Sequence, residues 1–308
     1  MNLRKYLFFS ISAYFLSFAS CTKTDESLPL IDDQYKDITV QSGFDNNSIK
    51  LASTGWTVAY VKDKSSEHYL LDSAGKNLQL LNTGNVVSQN GLLCLAKDST
   101  GYGLSISLKE NFSDEPRILL IGIDENGQRD AIQITQLKGS KYSLVDQEIR
   151  ELDSLRKVYV TDEDCTSITL SNPSNEDKYF SDSALFKNVY SRSEFLSSAY
   201  GAFAWLPQNS DNQVHMTDLL LDGNIVWSDM VPYIEGESTK AFNSSRKSEL
   251  LVKAHSNVDL TGNVTYCERT CKYTFTIKNE DTGFRFKISG LWHQKVPISS
   301  EEIINQVY

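Results

Sequence analysis

Four aromatic side chains are the residues best suited to recognition chemistry in this 308-residue chain: Phe203, Trp205, Trp227 and Trp292. An exposed indole or phenyl face is what the C–H groups of a sugar stack on, while neighbouring amides and carboxylates bond its hydroxyls. Phe203 and Trp205 share one side of an expected strand, and Pro207-Gln208-Asn209 follows as a polar loop. The competing reading makes Trp205, Trp227 and Trp292 core residues, as large aromatics mostly are in β-sandwiches. Cys267 and Cys271 flank Glu268-Arg269-Thr270, which reads as the turn of a hairpin. Such a turn would make the two cysteines cross-strand neighbours, near the separation a disulfide tolerates. Metal binding is the rival, but no second cysteine pair or nearby histidine completes a tetrahedral set, so no metal is expected. Cys94 and Cys165 read as buried thiols.

The four histidines, His68, His215, His255 and His293, share no ligand spacing. The chain contains no Gly-x-Ser-x-Gly elbow, phosphate loop or dinucleotide fingerprint. No catalytic residue and no cofactor is therefore nominated. Carboxylates are abundant enough to leave a glycosidase pair open, yet nothing singles one out.

The first twenty residues have their own chemistry. Met1-Asn2-Leu3-Arg4-Lys5 is a basic start, and Tyr6 to Ser20 carries no charge. An apolar run of about fifteen residues is too short to span a bilayer, which needs roughly 20, so residues 1–20 read as a secretory signal. Phe18-Ala19-Ser20-Cys21 resembles the lipobox of bacterial lipoproteins, although Phe18 stands where an aliphatic residue is commoner. The resemblance implies that Cys21 becomes the lipid-carrying first residue of the mature protein, since several acyl chains anchor stably without a spanning helix. Thr22-Lys23-Thr24-Asp25-Glu26 is similar to the segments that send Bacteroidetes lipoproteins to the outer face of the outer membrane; a plain hydrophilic tether, or the periplasmic face, is the alternative.

The formal net charge is −10, and loss of Arg4 and Lys5 with the signal makes it more acidic still. An acidic surface disfavours nucleic acid as a partner. Aromatics make up 11% of the chain and the alternating runs are rich in threonine, which points to an all-β protein. Residues 21–36 read as a flexible tether. From Ile38 onward, short period-two runs appear, such as Trp56/Val58/Tyr60 and Leu104/Ile106/Leu108, with Asn126-Gly127 as a hairpin turn. Residues 37–139 form one expected domain. Leu144, Val145, Ile149, Leu152 and Leu155 lie at helical spacing, so residues 140–156 read as a linker, either a short helix or an extended segment. Residues 157–308 form a second β-rich domain of sandwich type, with a hairpin closed by Asp222-Gly223 and a capping-box pattern at Ser299 to Glu302 that suggests a final short helix.

Tyr102 to Asn111, Pro116-Arg117-Ile118-Leu119-Leu120-Ile121, and Asp130 to Gln136 together resemble the BACON domain of the Bacteroidetes. That family runs strand, asparagine, arginine, strand, turn and a closing strand ending in glutamine, and it commonly carries a tryptophan that Trp56 matches. The resemblance covers about a third of the domain and fades from Lys62 to Thr100. It implies an immunoglobulin-like β-sandwich, in a family named for carbohydrate binding but with many members acting as spacers. The residue chemistry of Asn111, Arg117 and Gln136, at turns and strand ends, favours structural duties.

Two function classes follow. One is a non-catalytic surface lipoprotein that binds a polysaccharide or serves as an accessory module, with the first domain a spacer. The other is a structural, adhesin-like or fimbria-associated subunit that packs on other envelope proteins.

Overall fold

The computed structural model describes residues 29–139, 141–206, 212–242 and 249–308. The signal, Cys21, the start of the tether and the Pro207-Gln208-Asn209 loop lie outside the described residues. The protein is all-β, apart from three single-turn 3-10 segments.

The first unit contains β1 (Asp37–Val40), β2 (Phe44–Lys50), β3 (Thr57–Asp63), β4 (Gly84–Val87), β5 (Leu93–Lys97), β6 (Gly103–Leu108), β7 (Arg117–Glu125) and β8 (Gln128–Gln136). They form two four-stranded sheets, ordered β1-β8-β7-β3 and β2-β6-β5-β4, in an immunoglobulin-like sandwich. β1 runs parallel to β8 and closes one sheet with the first strand of the unit. Alternation explains the packing: Leu104, Ile106 and Leu108 of β6 meet Leu119, Ile121 and Ile123 of β7 in one core. Asn126 and Gly127 both take positive φ, at 53° and 87°, the geometry of the turn that suits two twisted strands.

Leu30 and Ile31 belong to that core, so the fold reaches back into the segment expected to be tether. Trp56 is fully buried, and its indole donates to Gly101 O at 2.7 Å. The Lys97 ammonium caps its ring at 4.2 Å while donating to Thr54 O and Trp56 O. Asn111 is also fully buried: its carboxamide donates to Glu115 O and accepts from Ser113. Arg117 donates to the Gln136 side chain at 2.8 Å, and Gln136 in turn donates to Ser42 O and Lys109 O.

The second unit contains β9 (Tyr142–Glu151), β10 (Lys157–Thr161), β11 (Ile168–Asn172), β12 (Lys178–Ser181), β13 (Tyr190–Leu196), β14 (Gln213–His215), β15 (Leu219–Leu221), β16 (Asn224–Trp227), β17 (Met230–Pro232), β18 (Gly236–Ala241), β19 (Glu249–Val252), β20 (Ser256–Asn279) and β21 (Arg285–Val307). Its spine is the antiparallel hairpin of β20 and β21, 24 and 23 residues long and so roughly 75 Å end to end. The main sheet runs β10-β20-β21-β13-β18, with β9 and β11 also pairing along β20. Small two-stranded sheets, β12-β19, β14-β17 and β15-β16, complete the unit.

β20 changes its buried face partway along. Val258, Leu260, Val264 and Tyr266 pack into one cluster with Leu185 and Val252. Cys271, Tyr273, Phe275 and Ile277, on the opposite face of the strand, pack into another with Tyr233 and Trp292. The switch falls at Tyr266-Cys267.

Three expectations are corrected here. Of the two readings of the linker, the helix does not form: residues 142–151 are extended, and as strand β9 they pair with β20 and belong to the second unit's sheet. Ser299 to Ile304 continue β21 instead of starting a helix, because pairing with β20 satisfies their backbone. Cys267 and Cys271 lie four residues apart on one strand, about 13 Å by strand rise, and are free thiols. No turn stands between them, so no disulfide joins them.

The two units meet through a built interface. Glu110, 1% exposed, accepts from Ser42 of its own unit and from Tyr142 and Asn279 of the other. Burial, together with the Glu110 charge, pushes the Tyr142 hydroxyl above the usual phenol range. Phe112 sits among Tyr142, Tyr200 and Phe286 with ring centroids 5.3–5.8 Å away. Arg117 crosses to the Tyr200 hydroxyl at 3.0 Å. Gly201 packs with its α-carbon against Phe112 at φ 70°, leaving no space for a β-carbon. Gly201→Ala is therefore expected to lower stability by more than about 1 kcal/mol, read from chemical denaturation, through both backbone strain and the Phe112 clash.

Candidate functional site

Arg269 is the residue from which the candidate site is built. It is 2% exposed, in the middle of β20, on the same face as Cys267 and Cys271. Its guanidinium packs against two adjacent indoles, 5.4 Å from the Trp227 ring and 5.1 Å from the Trp292 ring. Nε donates to Gln294 Oε1 at 2.6 Å, and the two terminal nitrogens donate to Asp218 O and Thr217 O at 3.0 and 2.7 Å. Glu151 approaches to 3.5 Å, supplying the countercharge a buried cation requires. Burial lowers the Arg269 pKa, and the nearby Glu151 acts against that shift.

The same carboxylate takes Arg156 Nε and Nη2 at 2.5 and 2.7 Å, and Arg156 reaches Leu220 O at 3.0 Å. Two arginines thus pin the β15-β16 hairpin to the main sheet through its own carbonyls. The hairpin turns at Asp222-Gly223, where φ is 48° and 80°. Trp227 ends β16 half-buried, with its ring 6.1 Å from that of Trp292.

Trp227 lines a cleft of about 360 Å³ together with Arg192, Gln213, Asp229, Lys240 and Gln294. That volume is at the small end of the range for ligand sites. Lys240 and Asp229 form an ion pair at its edge. A half-buried indole with guanidinium, amide and carboxylate groups around it offers apolar surface to the C–H groups of one sugar ring and polar partners to its hydroxyls.

The other three aromatics are placed differently. Trp292 is fully buried and donates to Ser193 Oγ at 2.6 Å. Trp205 is 6% exposed, donates to Ala202 O and packs on Tyr233. Phe203 is half-buried, 5.0 Å from the Tyr233 ring. Phe203 and Trp205 lie in a turn segment, not on the strand expected for them, and both cover an aromatic cluster of Phe195, Tyr233, Tyr273 and Phe275. For Trp205 and Trp292 the core reading is thus the correct one. Tyr233 is fully buried, and burial pushes its hydroxyl far above the usual range. Burial likewise pushes the Cys271 thiol up to about 11.

Sequence reasoning did not nominate Arg269, Gln294, Arg192 or Glu151. The available signal was the charged residues Glu268, Arg269 and Lys272 inside an otherwise β-favouring run, Val264 to Thr276. Among the described residues, no group of three or more His, Cys, Asp and Glu side chains is disposed to hold a metal ion.

No family model matches the chain, and no curated protein matches it. Among solved structures, lamprey immune protein is similar over 84% of this chain and 79% of that one, at 9% identity and a TM-score of 0.36. The parasporin-2 toxin of Bacillus thuringiensis is similar over 63% and 75%, at 10% identity and a TM-score of 0.25. A protein from Bacteroides thetaiotaomicron matches 35% of this chain and 80% of its own, at 8% identity and a TM-score of 0.27. All three scores are too low to assign a shared fold or function.

Two outcomes test this construction. Arg269→Met should cost on the order of 3 kcal/mol in chemical denaturation, because it removes the buried cation that Glu151, Gln294 and two carbonyls are arranged to hold. Acid should act on the same site. Burial would raise the Glu151 pKa, but bonding and charge from Arg156 and then Arg269 outweigh it and hold the carboxyl below its ordinary value of 4.5. A depressed carboxyl contributes stability that is present above the unfolded value and lost as pH falls through the folded one. The thermal midpoint should therefore drop below about pH 4.5, and Glu151→Gln should flatten that drop.

Proposed function

We propose that this chain is a non-catalytic recognition lipoprotein of a bacterial outer membrane, lipid-anchored at Cys21, that binds glycan through the Trp227 cleft. The observation that carries the reading is Trp227 itself. It lines a cleft and stands beside guanidinium, amide and carboxylate groups. Its support by the Arg269 stack means little ordering is needed on binding, which favours affinity for a small ligand. The basic start, apolar run and lipobox-like Phe18-Ala19-Ser20-Cys21 support export and anchoring. The BACON-like segments support a first unit that carries the second away from the membrane.

A second reading rests on a separate observation. Leu220, Ile225 and Met230, around the β15-β16 hairpin, are 46%, 59% and 45% exposed. Apolar groups gathered on one protruding element favour an envelope-protein partner. Cross-linking in whole cells separates the two, since a partner reading requires a specific heteromeric product.

Affinity electrophoresis through gels containing soluble polysaccharides tests the glycan reading. Retardation of the wild type by at least one of them, and its weakening in a Trp227→Ala protein that remains folded, is the expected result. Equal mobility of both proteins in every gel contradicts it.

A further inference from the structure

The junction between the two units carries a second recessed surface, larger than the Trp227 cleft. A cavity of about 780 Å³ is bounded by Asn85, Gln89 and Asn90 from the first unit and by Tyr200 and Phe286 from the second, with Phe112 between them. A neighbouring cavity of about 460 Å³ shares Ser88, Gln89, Asn90 and Tyr200 with it and extends to His68 and Tyr69. The two cavities adjoin at these shared residues, and together they form a recessed strip or groove at the junction.

We propose that this groove is a second glycan subsite, one that takes an extended oligosaccharide of several sugar rings. The proposal rests on the glycan reading and assigns the first unit a binding role beyond that of a spacer. Three rings are spaced along the groove, Phe286, Tyr200 and Tyr69, and an oligosaccharide offers a row of C–H faces to match them. Their settings are fixed. Tyr200 is held by Arg117 through its hydroxyl and lies 5.8 Å from Phe112. Tyr69 stands edge-on to Tyr60 at 5.6 Å and is 47% exposed.

Carboxamides from the first unit also line the groove. Asn90 uses its carboxamide oxygen internally, accepting from Ser88 Oγ at 2.8 Å and from Leu92 N at 3.1 Å, so the NH₂ half is what it presents. Gln89 beside it is exposed. Amides beside aromatic rings suit hydroxyl-rich chains. An extended peptide adding to β4, an outer strand of its sheet, is the competing occupant. That competitor pairs through the β4 backbone, whereas a glycan is met by the side chains of the lining: these carboxamides, the rings of Tyr200 and Phe286, and the charged Asp72, Lys109 and Lys287. Because Glu110 and Phe112 lock the units together, the groove exists before ligand arrives.

The test is calorimetric titration of the full mature chain in detergent with the disaccharide and hexasaccharide of a β-glucan, a mannan and a xylan. Expected is one series in which the hexasaccharide binds more tightly than the disaccharide. In that series Gln89→Ala with Asn90→Ala should weaken the hexasaccharide by about tenfold, the loss of one or two hydrogen bonds, and leave the disaccharide unchanged. Asn90→Asp, which keeps the internal acceptor and removes the NH₂ group, should weaken the hexasaccharide in a fully folded protein. Trp227→Ala should do the reverse, abolishing disaccharide binding and sparing the hexasaccharide. If Trp227→Ala removes all binding while the Gln89 and Asn90 variants match the wild type, the groove proposal fails and the Trp227 reading stands. If the wild type binds none of the six sugars, both fail together. Displacement of bound hexasaccharide by an extended peptide that pairs with β4 would also overturn the groove as a glycan site.

Discussion

A single buried cation organises the second unit. Arg269 lies on β20, its counterion Glu151 on β9, its amide partner Gln294 on β21, and its carbonyl partners just before β15. One side chain thus ties three strands of the main sheet to the hairpin that presents Trp227. Burying a charge costs several kcal/mol unless it is paired and fully bonded. Arg269 meets that requirement with four oxygen partners and two adjacent indoles against its guanidinium. The consequence for function is positional: an aromatic ring at the end of a short two-stranded hairpin would otherwise be free to move, and here it is fixed against Trp292.

The first unit depends on a similar device at its boundary. Glu110 and Phe112 follow β6 and reach into the second unit, one as a buried acceptor for Tyr142 and Asn279, the other as an aromatic plug. Gly43 and Gly201 line the approach, and a β-carbon on either would meet Glu110 or Phe112. Junctions between domains are common places for recessed sites, and this one joins aromatic residues of one unit to carboxamides of the other. Tyr142, the first residue of β9, is thereby fastened to the first unit.

Much of the first unit was legible in the sequence because its strands are regular. β6 alternates without interruption, and Asn126-Gly127 can hardly be anything but a two-residue turn. β9 was misread for an identifiable reason. Its inward residues are Tyr142, Leu144, Gln147 and Ile149, with a register shift between Leu144 and Asp146 that leaves Val145 out of step. A bulge changes the spacing from two to three once, and over so short a run that imitates a helical period. The switch of buried face at Tyr266-Cys267 did the same for β20: alternation broke, charged Arg269 stood in the gap, and the segment looked like a turn. For the site, residue types gave Trp227 but not its supports, since no local pattern shows that an arginine will pack against two indoles from separate strands.

The central claim is that Trp227 is the accessible indole of a preformed sugar cleft while the other three are structural. Each of those three indole N–H groups already has a protein acceptor: Gly101 O for Trp56, Ala202 O for Trp205 and Ser193 Oγ for Trp292. Indole resonances in a ¹⁵N-labelled sample, followed during titration with glycan, report on all four at once. The account predicts that the Trp227 signal shifts while the signals of Trp56, Trp205 and Trp292 stay in place. A Trp227 signal that remains still while a bound glycan moves any of the others would contradict it.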